Sequence, residues 1–348
     1  MSAKIHINLM KFEENIDFLT NKLHKNGINV FAVSKVFCAE EPLIKILDQS
    51  KVDGIADSRI LNLKKIISKK PKMLLRIPAL SEVKDVIKYA NISLNSEIEI
   101  IRSLNKIAKE ENIIHQVILM IDLGDLREGI YYKDFDYDII NEILLLKNIK
   151  LLGIGTNLTC YGSVIPTEST YKLIENIKNN IERIYNYKLE VISGGNSSSI
   201  YLLNGNIPKY INQLRIGEGY VLGRETAYGR KIKGMNDDVF TLKVEIIELK
   251  EKPTLPVGLL GVDAFGKKVI YLDKGIIKRA ILNVGKQDVF DEYLIPPKGI
   301  SIIGSSSDHL IVEIENGKYN IGDKIIFKLN YGGVLALMSS PYVEKVYE

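Results

Sequence analysis

From Asn8 to Gly223 the chain alternates short apolar runs with segments whose apolar residues recur at helical spacing, and this period limits the folds open to it. The spacing predicts strands at Asn29–Val33, Val52–Ile55, Met73–Ile77, Ile92–Leu94, Val117–Ile121, Leu151–Gly155, Leu189–Ile192 and Ile211–Ile216. An opening helix over Asn8–Lys25 precedes them, with Leu9, Phe12, Ile16, Leu19 and Leu23 on one stripe. Further helices are predicted at Glu41–Leu47, Arg59–Ile67, Leu80–Lys88, Glu97–Glu110, Tyr137–Leu146, Thr167–Tyr185 and Ser197–Leu203. Strands that each hand over to an amphipathic helix pair in parallel through right-handed crossovers. Eight of them fit a closed (β/α)8 TIM-like barrel, an α/β fold. An open doubly wound sheet is the alternative, but no GxGxxG follows the first strand, where a dinucleotide site needs it.

Near Gly229 the pattern changes. Phe240–Leu249, Lys268–Leu272, Ile276–Leu282, Gly299–Gly304, Leu310–Ile314 and Lys324–Leu329 read as β-branched strands parted by Gly, Pro and Asp turns, with no long helix among them. Two domains are therefore expected: a barrel over residues 5–228 and a mainly-β C-terminal domain over residues 229–348. The β-like stretch Lys4–Ile7 is assigned to the second, so that residues 1–7 join it.

Composition narrows the function classes. A hydrophobic share of 46%, a charged share of 26% and a net charge of +4 with both signs interleaved describe a globular protein with little attraction for nucleic acid or membrane. Cys38 and Cys160 form neither a disulfide framework nor a CxxC pair, and the four histidines share no metal-ligand spacing. No apolar stretch reaches the roughly 20 residues of a membrane span. The opening MSAKIHINLMKFEE lacks the apolar core of a signal peptide, so a cytoplasmic address is expected.

Chemistry concentrates where the predicted strands end. Lys35 follows the first strand, where partial desolvation turns an ammonium into an amine nucleophile. Ser193-Gly194-Gly195-Asn196-Ser197-Ser198-Ser199 follows the seventh strand, and Arg215-Ile216-Gly217-Glu218-Gly219 ends the eighth. Glycines that admit a ligand to the backbone, hydroxyl donors and an arginine suit a phosphate, and barrels commonly bind phosphate after strands seven and eight. After the fifth strand, Asp122-Leu123-Gly124-Asp125-Leu126-Arg127-Glu128-Gly129 offers Arg127 as a bidentate partner for a carboxylate. Asn157 follows the sixth.

In this order the motifs AVSKVFCAE (32–40), ADSRILNL (56–63), IDLGDLREG (121–129), GTNLTCYG (155–162), SGGNSSS (193–199), LRIGEGYVLGRE (214–225), GVDAFG (261–266), LNVGKQDV (282–289) and GSSSDHL (304–310) resemble the fold type III pyridoxal-phosphate (PLP) enzymes. The branch they resemble is that of the alanine and ornithine racemases, and the similarity runs over nearly the whole chain. The resemblance implies an alanine racemase-like barrel and β domain, PLP as cofactor, a free amino acid as substrate and a head-to-tail homodimer with shared active sites. It assigns the covalent attachment of PLP and one proton transfer to Lys35. Asn157, Asn196, Ser197, Gly217 and Glu218 would line the cofactor, and Arg215 would face its pyridine nitrogen. Arg127 and Asp308 would contact substrate. The implied reaction interconverts L- and D-ornithine by taking and returning the α-proton on opposite faces; alanine, lysine or broad specificity are alternatives. A decarboxylase is disfavoured because a carboxylate would stand where Arg215 is, and a non-catalytic PLP carrier because such proteins usually lack the β domain.

Three departures from the family pattern stand out. Asn157 occupies the place of a histidine, and Ala39 that of a phosphate-binding tyrosine. In GVDAFG the aromatic nearest the family's second catalytic tyrosine is Phe265, which cannot transfer a proton and is read as core packing. The opposite-face base is expected to be His309 or Asp263, with Ser307 or a water behind them, since imidazole is the side chain that titrates nearest neutrality. A carboxylate such as Asp308, Asp263 or Asp288 would pair with the distal ammonium of a diamino acid.

Overall fold

The computed structural model describes residues 3–262, 265, 266, 268 and 270–348. They fall into two compact units, Met10–Asp237 and the combination of Met1–Leu9 with Asp238–Glu348.

Eight parallel strands form the first unit's sheet: β2 (Asn29–Val33), β3 (Gly54–Asp57), β4 (Lys72–Leu74), β5 (Ile92–Asn95), β6 (His115–Asp122), β8 (Ile149–Gly155), β9 (Val191–Ser193) and β10 (Gln213–Ile216), with β1 (Lys4–Ile7) belonging to the other unit and β7 (Ile130–Tyr131) a short appendage on β6. The order β5-β4-β3-β2-β10-β9-β8-β6 returns on itself, because β5 pairs with β6 from Ile92↔Gln116 to Asn95↔Leu119. The sheet is a closed barrel. The pairing of β2 with β10, from Asn29↔Gln213 to Ala32↔Ile216, sets the first and last strands of the barrel side by side. Closure leaves no polar strand edge to cover.

Inward-facing Phe31, Val33, Ala56, Met73, Ile92, Leu94, Ile118, Met120 and Leu152 fill the barrel. Alternate residues point in, so each strand contributes to this core and to the layer beneath the helices. Position 54 is glycine because a Cβ there would lie 2.2 Å from the Phe31 ring.

The surrounding helices are α1 (Leu9–Lys25), α2 (Glu41–Gln49), α3 (Ile60–Lys65), α4 (Val83–Tyr89), α5 (Ile98–Glu110), α6 (Asp138–Leu145), α7 (Glu168–Tyr185) and the short α8 (Glu218–Leu222). Their local causes are readable. Helix α7 starts where Thr167 accepts from the Thr170 amide at 3.1 Å, and it ends on Asn186 in the left-handed region. It buries Tyr171, Ile174, Ile177 and Ile181, each aliphatic side chain contributing about 1.5–3 kcal/mol of transfer free energy. Among the described residues no helix is long and apolar enough to cross a membrane.

The expected helix over Ser197–Leu203 is instead a 3-10 segment, Ser197–Asn204. Side chains here bond nearby backbone, Asn196 accepting from Ser198 N at 2.7 Å and Ser199 donating to Gly194 O at 3.0 Å, which competes with regular α-helical bonding.

The second unit is an eight-stranded sheet. Strands β11 (Phe240–Pro253), β12 (Ile276–Leu282), β13 (Leu294–Ile295), β14 (Ile300–Ser305), β15 (Leu310–Ile314) and β16 (Lys324–Leu329) run in the order β13-β16-β11-β12-β15-β14. β1 pairs antiparallel with β11 and parallel with β17 (Glu344–Tyr347). Two readings of the sequence need correction here. Lys268–Leu272 carries no strand among its described residues, and helix α9 (Tyr331–Ser339) stands where no helix was predicted. Gly332 and Gly333 hide α9 in the sequence, since glycine weakens a helix by about 1 kcal/mol. They are required, for a Cβ at 332 would lie 2.8 Å from the Tyr293 ring.

Candidate active site

The C-terminal ends of β2, β10, β9, β8 and β6 are consecutive neighbours around the barrel. Every barrel residue singled out from the sequence stands on this arc.

Lys35 opens the turn Lys35–Phe37 directly after β2, with Cys38 and Ala39 both in the left-handed region at φ 54° and 53°. The preceding Ser34 donates to Asp57 Oδ2 at 2.6 Å, and Asp57 also takes the Arg59 amide at 2.8 Å. This anchors the backbone beneath the lysine. Burial lowers the Lys35 ammonium below the ordinary lysine range; the Arg127 guanidinium pushes the same way, while Cys160, Asp57 and Glu128 oppose. A half-buried amine of this kind has a larger neutral fraction than a solvated lysine.

Arg215, on the neighbouring β10, is 4% exposed. It donates through Nη1 to Ser193 Oγ and through Nη2 to Thr156 O at 2.7 Å, so the ends of β9 and β8 fix its plane. Burial pulls it down to about 10, with Glu128 opposing and Arg127 adding to the fall. It remains a cation at neutral pH.

Between these strands lies the serine loop. Gly195 has φ 111°, a conformation that excludes a side chain. Asn196 caps the next turn by accepting from Ser198 N at 2.7 Å and donates to Asn157 Oδ1 at 3.0 Å and Leu158 O at 2.8 Å. Ser197 is buried, and its Oγ accepts from Gly219 N at 3.1 Å. Among the described residues its own proton has no acceptor. Glu218 stands between Gly217 and Gly219, and burial raises its carboxyl against the pull of Arg224 and Lys35. Tyr171 of α7 braces the loop from behind, donating to Gly194 O at 2.5 Å and meeting Ser199 Oγ at 2.7 Å.

Arg127 is already engaged. Nε and Nη2 form a fork on the Glu128 carboxylate, and Nη1 reaches Cys160 Sγ at 2.7 Å.

Comparison with known proteins gives this arrangement its place. The family described as the N-terminal domain of alanine racemase matches residues 7–224. Across 99% of both chains the protein is 50% identical to the ornithine racemase of Acetoanaerobium sticklandii. The chain belongs to the alanine racemase family. It is an enzyme, an amino acid racemase of the PLP-binding fold. A second relative, the lysine racemase of Thermotoga maritima, is 37% identical over 99% of this chain and 98% of its own. The crystal structure of the Bartonella henselae alanine racemase with covalently bound pyridoxal phosphate shares the fold, with a TM-score of 0.75 over 100% of each chain at 16% identity.

The donor set of this racemase suits that cofactor. A serine hydroxyl with an undirected proton, glycine-flanked loop backbone, a desolvated amine and a buried guanidinium match a phosphate, an aldehyde and a pyridine nitrogen in turn. Thr156 adds a buried hydroxyl with no partner among the described residues, beside the Arg215 contact.

In the racemase's second unit, Asp308 and His309 are exposed on the turn between β14 and β15. Ser306 Oγ takes the His309 amide at 3.1 Å, and Ser307 Oγ donates to Asp308 Oδ2 at 2.7 Å. Gly285 allows the turn to seat, because a Cβ there would lie 2.1 Å from Ser307 O. Asp288 already accepts from Ser340 Oγ at 2.9 Å. Asp263 lies outside the described residues. Phe265 is not core: it is 45% exposed, with Lys286 Nζ 4.5 Å above its ring. Sequence reading missed Asp125, Glu128, Cys160 and Tyr171. Asp125 and Glu128, acids near Arg127, and Cys160 lay inside quoted motifs, but nothing in the residue types marked the contacts they make; Tyr171 lay in no quoted motif.

Proposed function

We propose that the protein holds PLP covalently on Lys35 and interconverts L- and D-ornithine. The observation that carries the mechanism is the desolvated Lys35 amine in the turn after β2, the strand paired with Arg215's β10, beside the Ser197 loop. The substrate rests on the 50% identity to a protein named ornithine racemase. Lysine is the second reading, from the 37% relative; one methylene separates the two and a pocket discriminates weakly at that level.

Bound PLP supplies an electron sink that acidifies the Cα–H of the attached amino acid. Ser197 and the backbone around Gly217 and Glu218 would hold its phosphate, with Asn196 and Asn157 at the edge. Arg215, a cation that cannot accept a proton, would face the pyridine nitrogen and leave it unprotonated. Lys35 takes and returns a proton at Cα on one face. Arg127 orients the substrate carboxylate through the guanidinium N–H groups that Glu128 and Cys160 leave open. On the opposite face the proton comes from the β unit, from His309 or Asp263, and Asp308 meets the distal ammonium.

These roles divide between two units, and we propose that two copies share their sites head to tail. Support comes from the apolar side chains that the β unit exposes, among them Val257 at 97% and Leu259 at 107%.

Borohydride reduction of PLP-loaded protein, digestion and mass spectrometry test the mechanism. The expected adduct is on the Lys35 peptide. An adduct on another lysine, or none, contradicts it.

A further inference from the structure

Two rim loops of the barrel are joined more closely than either needs for its own fold. The loop after β6 carries Asp122 to Gly129, and the loop after β8 carries Asn157 to Val164. Asp125 is 1% exposed, and its carboxylate accepts three backbone amides from the other loop: Cys160 N at 3.2 Å, Tyr161 N at 3.0 Å and Val164 N at 3.0 Å. The second loop is closed on itself by Thr159 N and Oγ1, both donating to Val164 O at 2.8 Å. Gly162 permits the approach, since a Cβ there would lie 2.6 Å from Asp125 O. Leu126, Thr159 and Ser163 all hold left-handed φ of 52° to 56°, a strain that persists only where surroundings over-determine it.

What this junction delivers is Cys160. Its amide is bound by Asp125, and its sulfur receives Arg127 Nη1 at 2.7 Å. Of the five N–H donors of Arg127, one on Nε and one on Nη2 go to Glu128, which leaves others for a ligand. The Arg127 plane is thus set from both sides, by its neighbour in sequence and by a residue 33 positions away.

We infer that Asp125 is a positioning residue: it latches the Cys160 loop to the barrel rim so that Cys160 and Glu128 together fix the Arg127 guanidinium for the carboxylate of an amino acid substrate. This rests on the reading of Arg127 as the carboxylate contact. A long arginine left free at the rim would sample many rotamers, and the latch removes that freedom before substrate arrives.

The experiment is a set of holoenzyme variants assayed with ornithine in both directions: Asp125→Asn, Cys160→Ala, their combination, and Arg127→Ala as reference. Asp125→Asn keeps size but replaces an all-acceptor group with one that turns a donor toward the amides. It is expected to raise KM about tenfold with kcat changed less than threefold, and the double variant is expected to match the single Asp125→Asn, because both act through one contact. Independently of activity, alkylation of Cys160 by iodoacetamide, read at its peptide by mass spectrometry, is expected to run at least severalfold faster in Asp125→Asn. If Asp125→Asn does not fold, Gly162→Ala parts the same loops while keeping the carboxylate, and the same KM rise and faster alkylation are expected of it. A KM rise in Arg127→Ala with none in the latch variants, or additive effects in the double variant, overturns the positioning role. An unchanged KM in Arg127→Ala overturns the carboxylate reading instead.

Discussion

Lys35, Arg127 and Arg215 put three cationic groups on one rim, and burial acts on each of them. For Lys35 burial penalises the charged form, so in cofactor-free protein the residue opposes folding at neutral pH. Its lowered folded value means the penalty is fully present below that value and fades as pH rises from there to the ordinary lysine range near 10.5. Lys35→Met should therefore abolish racemisation, by more than about 1000-fold, yet raise the melting midpoint of the cofactor-free protein at pH 7 by about 1–2 °C. Calorimetry across pH 7 to 10.5 checks the sign: the advantage of the variant should shrink as pH rises. A variant less stable than wild type at pH 7 would mean that Lys35 is not held at a desolvation cost. At this scale the sequence made Lys35, Ser197 and Arg215 visible, because each sits at the end of an apolar strand and carries side-chain chemistry. Asp125 and Cys160 were not legible as a pair. Their link is a carboxylate bound to backbone amides 35 to 39 positions away, and backbone donors leave no mark on residue type.

The elements that position the site are the barrel strands, α7 and the serine loop. Periodicity located the strands because a closed parallel barrel buries both faces of each, which yields short apolar runs. It did not locate α9, whose two N-terminal glycines answer to the Tyr293 ring and not to helix propensity. It also assigned an α-helix to Ser197–Leu203, where the bonding of Asn196 and Ser199 to nearby backbone favours the 3-10 segment Ser197–Asn204. Tyr171 links an element to the site. Its phenol is fully buried, and burial moves it well above the ordinary tyrosine range, so it acts as a neutral donor to Gly194 O. Tyr171→Phe should destabilise the fold by about 1 kcal/mol, the net worth of a buried hydrogen bond. The same change should weaken PLP retention severalfold, because Ser199 and Gly194 lose the brace behind the cradle. Urea titration and the rate of PLP loss on dilution measure the two effects. Stability reduced with PLP loss unchanged would leave Tyr171 a packing residue only.

At the scale of the whole molecule, the sequence announced two architectures by a change of period near residue 229, from helical stripes to β-branched runs. It also placed Lys4–Ile7 with the β domain, but not its partners: β1 pairs with β11 and with β17. Strand partners far apart in sequence are not encoded in either strand's own pattern. The proposed division of catalytic roles makes assembly a requirement, so sedimentation of the holoenzyme should give a dimer at assay concentration, and a fully active monomer would contradict the shared-site reading. In the reaction we propose, Lys35 and a β-unit residue exchange the α-proton of ornithine on opposite faces. The most direct test is incubation of L- and D-ornithine, lysine and alanine with holoenzyme in deuterated water, read for chirality and α-deuterium, on wild type and His309→Ala. Ornithine should racemise in both directions with deuterium at Cα and outpace alanine by at least about tenfold. His309→Ala, if it removes the opposite-face donor, should slow both directions strongly while one enantiomer still exchanges its α-proton through Lys35. Alanine turning over faster than ornithine, or no enantiomer interconverting at all, would contradict the proposed ornithine racemisation.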